Sequence, residues 1–168
     1  MQNAYNAYKK FIKGICKVLD VITITLMLGM LGVVSYQVVM RNIFNRPPVW
    51  GEEVAITLMI QFVFLGVVLG MEEDIHIGIA LLVKRLPKKG MFVVEIIINA
   101  LLLVLSALFI RFGYVHASRM WGFGTRLTAT QLPAAIHYAV VPIAGILMCL
   151  VVVGKLAGII INRREMLS

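Results

Sequence analysis

Residues 21–40 read VITITLMLGMLGVVSYQVVM, twenty residues without a charge between Asp20 and Arg41. At about 1.5 Å per helical residue the stretch is about 30 Å long, which matches the hydrocarbon core of a bilayer. It reads as a transmembrane helix, with the span set at 18–43. Residues 54–71 are also uncharged and are bounded by Glu52 and Glu53 before and Glu72, Glu73 and Asp74 after, which sets a second span at 52–71. A third, at 90–118, holds Glu95 near its start and Arg111 toward its end, on either side of the uncharged run 96–110. The fourth, at 134–161, follows Pro133 and contains Pro142, which lacks an amide hydrogen and is expected to bend the helix.

Composition agrees. Of 168 residues, 61% are hydrophobic and 14% charged, against about 25% charged in soluble domains. Spanning segments must satisfy their backbone polar groups internally, so a single all-α membrane domain over residues 1–168 is expected, with four transmembrane helices and amphipathic interfacial segments. The net charge of +8 belongs to no soluble basic domain, so the basic residues read as topology signals and lipid-headgroup contacts and not as a nucleic-acid surface. Eleven fall on one side: Lys9, Lys10, Lys13, Lys17, Lys84, Arg85, Lys88, Lys89, Lys155, Arg163 and Arg164. Five fall on the other: Arg41, Arg46, Arg111, Arg119 and Arg126. Positive residues are retained in the cytoplasm, so both termini are expected there, in an inner membrane. The first span has no small-residue cleavage site after it and is expected to remain as an anchor.

Two further segments read as interfacial helices. In 4–17, Tyr5, Tyr8, Phe11, Ile12 and Ile15 recur at helical spacing while Lys9, Lys13 and Lys17 line another face, the pattern of a helix lying on an anionic membrane surface. Residues 75–87 are apolar, end in Lys84 and Arg85 before Pro87, and are too short to cross, so they read as a horizontal arm.

Polar groups inside the spans are the functional candidates, because an unpaired one in hydrocarbon costs several kcal/mol. Glu53, Thr57 and Gln61, at i, i+4 and i+8, form a polar stripe that a helix of this chain or of another subunit should cover. Gln37 and Arg41 form a similar pair at the end of the first span. An ion pair from Arg41 to Glu52 or Glu53 is the structural reading there; the functional one is that the carboxylates reach a partner subunit, with Trp50 as an interfacial anchor in both. Glu95 and Arg111 stand 16 residues, about 24 Å, apart on a straight helix and cannot pair with each other, so snorkelling toward opposite headgroup layers or pairing with other helices is expected of them before a proton relay. Gly66 and Gly70, like Gly154 and Gly158, have the GxxxG spacing of helix packing surfaces.

Other chemistry finds little support. Cys16 and Cys149 are too far apart in sequence for a metal or redox pair, and no HExxH, CxxC, GxSxG or phosphate-cradling glycine loop occurs. No cofactor and no enzyme activity are expected. His116 and His137, near the same ends of the third and fourth spans, keep open a membrane-anchored haem subunit, and a small self-contained exporter is the third reading.

The chain resembles the small membrane subunit, the Q component or small permease, of tripartite ATP-independent periplasmic (TRAP) transporters. The resemblance rests on Met40-Arg41-Asn42-Ile43-Phe44, Pro48-Val49-Trp50-Gly51-Glu52-Glu53, Phe64-Leu65-Gly66, His76-Ile77 leading to Leu86-Pro87, and Thr128-Ala129-Thr130-Gln131-Leu132-Pro133 with Pro142 beyond. It implies a scaffold role beside a larger membrane subunit that holds the substrate and sodium sites. It also implies a periplasmic binding protein that delivers an organic acid, of the sialic acid or dicarboxylate type. Arg46, Arg119 and Arg126 are the candidates for docking that protein, and membrane lipids are expected partners of the basic surfaces.

Overall fold

The structure, a computed structural model, describes residues 2–72 and 88–166, with side chains described over 7–72 and 93–159. It contains helices α1 (Gln2–Phe44), α2 (Val49–Glu72), α3 (Lys88–Gly122) and α4 (Ala135–Met166). Each has a stretch long and apolar enough to cross a membrane: Ala7–Phe44, Val49–Glu72, Val93–Gly122 and Ala135–Ile159. The protein is an all-α, four-span membrane protein. Its α1–α2 and α3–α4 connections share one end of the bundle, here termed the loop end; the start of α1 and the end of α4 share the other, the terminal end.

The connections stop the helices by backbone chemistry. After Phe44, Asn45 adopts φ 51°, the left-handed conformation that asparagine tolerates, and Pro47 and Pro48 then preclude further helix. Gly124, at φ 59°, plays the equivalent part after α3.

The helix expected at 4–17 is not a separate element, which corrects the boundary drawn at residue 18: α1 is continuous over 43 residues, about 64 Å, or about twice the hydrocarbon thickness. Residues 14–20 contain no proline and a single glycine, so nothing interrupts the hydrogen-bond ladder. The early part of α1 packs on α4: the Tyr8 hydroxyl donates to the Leu150 carbonyl at 2.6 Å, and Ile12, Ile15, Cys16 and Leu19 meet Leu147, Leu150 and Val151. Lys9, Lys10, Lys13 and Lys17 remain exposed on the other side. The arm expected at 75–87 lies outside the described residues.

The other helices run longer than their expected spans. α2 starts three residues before position 52, and α3 extends four beyond 118, because neither junction carries a breaker until Pro48 and Gly124.

Helix α4 is central. It packs against α3, α2 and α1; α1 also packs on α2, while among the described residues the backbone of α3 approaches α4 alone and its Phe109 ring meets Phe64 of α2 edge-on, with centroids 5.7 Å apart. The core lies toward the terminal end, where Ile12, Cys16 and Leu19 of α1, Leu65, Val68 and Met71 of α2, and Ala144, Met148, Val151 and Val152 of α4 are buried together. Lipid removes most of the hydrophobic driving force between helices, so close packing of small residues matters more than in water. A Cβ on Gly113 of α3 would lie 2.8 Å from the ring nitrogen and Cδ of Pro142 on α4, and one on Gly145 would lie 2.9 Å from the Ile110 amide nitrogen. These two glycines let α3 and α4 touch at the backbone, where the Pro142 ring sits against Gly113. Of the motif glycines, Gly154 carries the Tyr8 ring, whereas Gly66 faces open space and Gly70 is half-buried.

Candidate functional site

At the loop end, residues 125–134 fold into a short hairpin. Arg126 and Pro133 form an antiparallel bridge, the Leu127 amide donates to the Leu132 carbonyl at 2.9 Å, and Ala134 donates to Thr125 at 2.9 Å. Gln131, at φ 56°, closes the turn, its amide donating to the Leu127 carbonyl at 3.1 Å. This leaves the amides of Ala129 and Thr130 at the tip without partners inside the hairpin. Both donate to Glu53 in the first turns of α2: Ala129 N to Oε1 at 2.8 Å, and Thr130 N to Oε2 at 2.9 Å, with the Thr130 hydroxyl adding a bond to Oε2 at 3.0 Å. Two successive amides converging on a carboxylate form an anion-binding concavity, and bonds to an ionised acceptor are the stronger kind.

One turn further along α2, the Thr57 hydroxyl donates to the Glu53 carbonyl at 2.6 Å and lies 2.7 Å from His137 Nε2 on α4. A hydroxyl has one hydrogen, so the Nε2–H tautomer of His137, which donates to Thr57, satisfies both contacts; this assignment follows from hydrogen-bond geometry. Nδ1 is then a bare acceptor, buried without a partner among the described residues. Glu53, Thr57 and His137 therefore join α2, the 125–134 hairpin and α4 in one polar staple, at the end of the bundle away from the apolar core. The stripe of Glu53 and Thr57 is covered from within the chain; Gln61, one turn beyond, is half-buried.

The expected Arg41 ion pair is corrected. Arg41 is exposed and makes none with Glu52 or Glu53 among the described residues, because the Glu53 carboxylate is held by the preorganised amides of the hairpin. Glu52 is exposed in the first turn of α2, where a negative charge complements the helix dipole. Gln37 packs on Gly51, whose absent side chain makes room: a Cβ there would lie 2.6 Å from Gln37 Cγ. Beside it the rings of Trp50 and Tyr36 stack at 6.1 Å, joining α2 to α1. Arg46, Arg119 and Arg126 are all exposed, and all belong to the loop end.

On α3, Glu95 and Arg111 are both exposed. The Asn99 amide nitrogen donates to the Glu95 carbonyl at 2.8 Å and the Ser106 hydroxyl to Leu102 at 2.7 Å, so these donors are satisfied by their own helix, whereas Asn99 Oδ1 is buried without a partner among the described residues. The two histidines of the haem reading have different partners: His116 packs edge-on against Tyr138, with centroids 4.7 Å apart, and His137 is bonded to Thr57. No group of three or more His, Cys, Asp or Glu side chains that could hold a metal occurs among the described residues.

Sequence reasoning did not single out His137 as the partner of Thr57, or the Ala129 and Thr130 amides as those of Glu53. The available signal was the polar Thr128-Ala129-Thr130 run beside a span that needed a covered carboxylate. Nor did it single out Gly51, Gly113 and Gly145, which make the close contacts that Gly66 does not make among the described residues.

Known proteins place this arrangement. The chain is 27% identical over 129 residues to the sialic acid TRAP transporter small permease protein SiaQ of Vibrio cholerae, covering 77% of this chain and 73% of that one. It is 28% identical over 140 residues to a Haemophilus influenzae protein described as a TRAP transporter small permease, covering 83% and 86%. A third match, 29% identical over 89 residues, is to the sialic acid TRAP transporter permease protein SiaT of Haemophilus influenzae; it takes in 53% of this chain but 14% of that much longer one. The family described as tripartite ATP-independent periplasmic transporters, DctQ component, matches residues 30–161, which include the last third of α1, all of α2 and α3, the hairpin, the staple and most of α4; the chain belongs to that family and is a multi-pass inner-membrane subunit of such a transporter.

Proposed function

We propose that this subunit is the static scaffold of a sodium-coupled TRAP transporter that imports an organic acid, with sialic acid the leading candidate. A separate large membrane subunit carries the substrate and sodium sites, and a periplasmic binding protein delivers the acid. Both termini lie in the cytoplasm, which puts the loop end in the periplasm. The observation that carries the reading is the staple: the Glu53 carboxylate and the Thr57 and His137 side chains, the polar groups a transport path would use, are engaged in holding α2, α4 and the hairpin together. The SiaT match supports association with a large permease, since a segment similar to this chain is there part of a longer permease chain. The SiaQ match supports the choice of acid.

Rigidity at the loop end serves a scaffold, because a partner's transport domain moves productively only against a frame that stays still. The exposed Arg46, Arg119 and Arg126 offer the binding protein a positive surface at that end. Proteoliposomes holding the large subunit with and without this chain, supplied with loaded binding protein and an inward sodium gradient, test the role. Uptake that requires both membrane subunits supports it; full sodium-driven uptake by the large subunit alone overturns it. Arg46→Glu, Arg119→Glu and Arg126→Glu together should weaken uptake most at low binding-protein concentration, and unchanged uptake dismisses docking by charge.

A further inference from the structure

Helix α3 has two faces of opposite character. Toward α4 it presents Leu102, Ser106, Phe109 and Gly113, at helical spacing. On the face turned away stand Ile97, Leu101, Val104, Leu108, Arg111 and Val115, whose intervals alternate between four and three residues, the spacing of a helix-packing seam. All six are exposed, Leu101 by 64% and Val104 by 55%. Arg111 is the single charge in the seam, and it has no hydrogen bond or ion pair among the described residues.

Its depth makes that position costly. Contacts of Gly113 with Pro142 and of Gly145 with Ile110 set Arg111 level with 143–144 of α4, about 12 Å inside the start of that helix. Trp121, an exposed aromatic of the kind that marks a membrane interface, is ten residues, about 15 Å, further along α3. No acid with a described side chain pairs with Arg111: Glu53 is held by the hairpin, Glu95 is 16 residues away on α3, Glu52 is on α2, whose backbone does not approach α3 among the described residues, and Asp20 and Glu72 make no ion pair with it.

We propose that the outward seam of α3 docks a transmembrane helix of the large membrane subunit, and that this helix carries a carboxylate paired with Arg111. The inference rests on the scaffold reading above and adds the face and the charge by which the subunits recognise each other. Apolar seam residues supply packing, while the single ion pair fixes register, since any shift along the helix would strand both charges.

The test is recovery of the large subunit with the tagged, co-expressed small subunit in mild detergent. Arg111→Leu and Arg111→Glu should each reduce recovery by about tenfold or more, because they leave the partner's carboxylate unpaired; Arg111→Lys should retain most of it. The unfolding midpoint of the isolated small subunit should not change with Arg111→Leu, which separates loss of docking from loss of fold. A benzophenone amino acid replacing Leu108 or Val115 should crosslink to the large subunit. Full recovery with Arg111→Leu, crosslinks to lipid alone, crosslinks to a second copy of this chain, or crosslinks to the large subunit from Val21 of α1 but not from α3, would each overturn the inference while leaving the scaffold reading in place. Failure of the wild-type chain to recover the large subunit would overturn both.

Discussion

Glu53 and Thr130, 77 residues apart in sequence, are joined by two hydrogen bonds that end on the same carboxylate oxygen, from the Thr130 amide at 2.9 Å and its hydroxyl at 3.0 Å. The contact ties the start of α2 to a hairpin between α3 and α4, and so closes the loop end. Glu53→Ala should lower the unfolding midpoint in detergent and speed hydrogen exchange at the Ala129 and Thr130 amides, with little change along the α3–α4 seam. Glu53→Gln should fall between, because its carbonyl can accept one amide while its NH2 opposes the other donor. Wild-type exchange at both amides in Glu53→Ala would reject the staple.

Thr57 stands between the Glu53 carbonyl and His137. Thr57→Val keeps the shape but leaves His137 with neither ring nitrogen bonded, a loss of about 1–3 kcal/mol. Thr57→Ser should remain near wild type. In a double-mutant cycle with His137→Phe, measured by denaturation in micelles, the two losses should be strongly non-additive.

Gly113 and Gly145 meet backbone atoms that cannot swing aside. Gly113→Leu and Gly145→Leu should each cost about 1–3 kcal/mol in the isolated subunit. Gly66→Leu, which points into open space within the chain, should change that stability by less than about 0.5 kcal/mol. If Gly66 meets a partner helix, the same substitution should instead weaken recovery of the large subunit.

Tyr8 ties the start of α1 to α4 through the Leu150 carbonyl. Tyr8→Phe should cost about 1 kcal/mol and raise protease sensitivity within the first turns of α1, with the loop end unaffected. Gly154→Ala should weaken the same tie, because its new methyl would lie 2.6 Å from Tyr8 Cε1 and push the ring away from Leu150. Equal protease sensitivity of Tyr8→Phe and wild type would reject the tie.

Most of the spans were readable because membrane insertion is decided locally. The uncharged run at 21–40 needs a helix of bilayer length wherever the rest of the chain goes, and Pro48 and Pro133 mark starts through a missing amide hydrogen. The polar stripe of Glu53 and Thr57 was readable as something to be covered, by the same local argument. What covers it was not, since backbone amides carry no residue code and His137 lies 80 positions from Thr57. The Arg41 pairing failed for a related reason: proximity in sequence placed opposite charges at one membrane level, but two oriented amides were the nearer partners for Glu53.

By itself, then, the order of residues determined the all-α class, the four crossings and the polar groups that could not face lipid alone. Tertiary structure alone decided that α1 runs unbroken across α4, that Gly113 and Gly145 are the close-contact glycines, and that Arg111 ends on an unpartnered face. Insertion depends on the transfer energy of one segment at a time, whereas the choice among partners depends on distances and directions that exist only once the helices have packed.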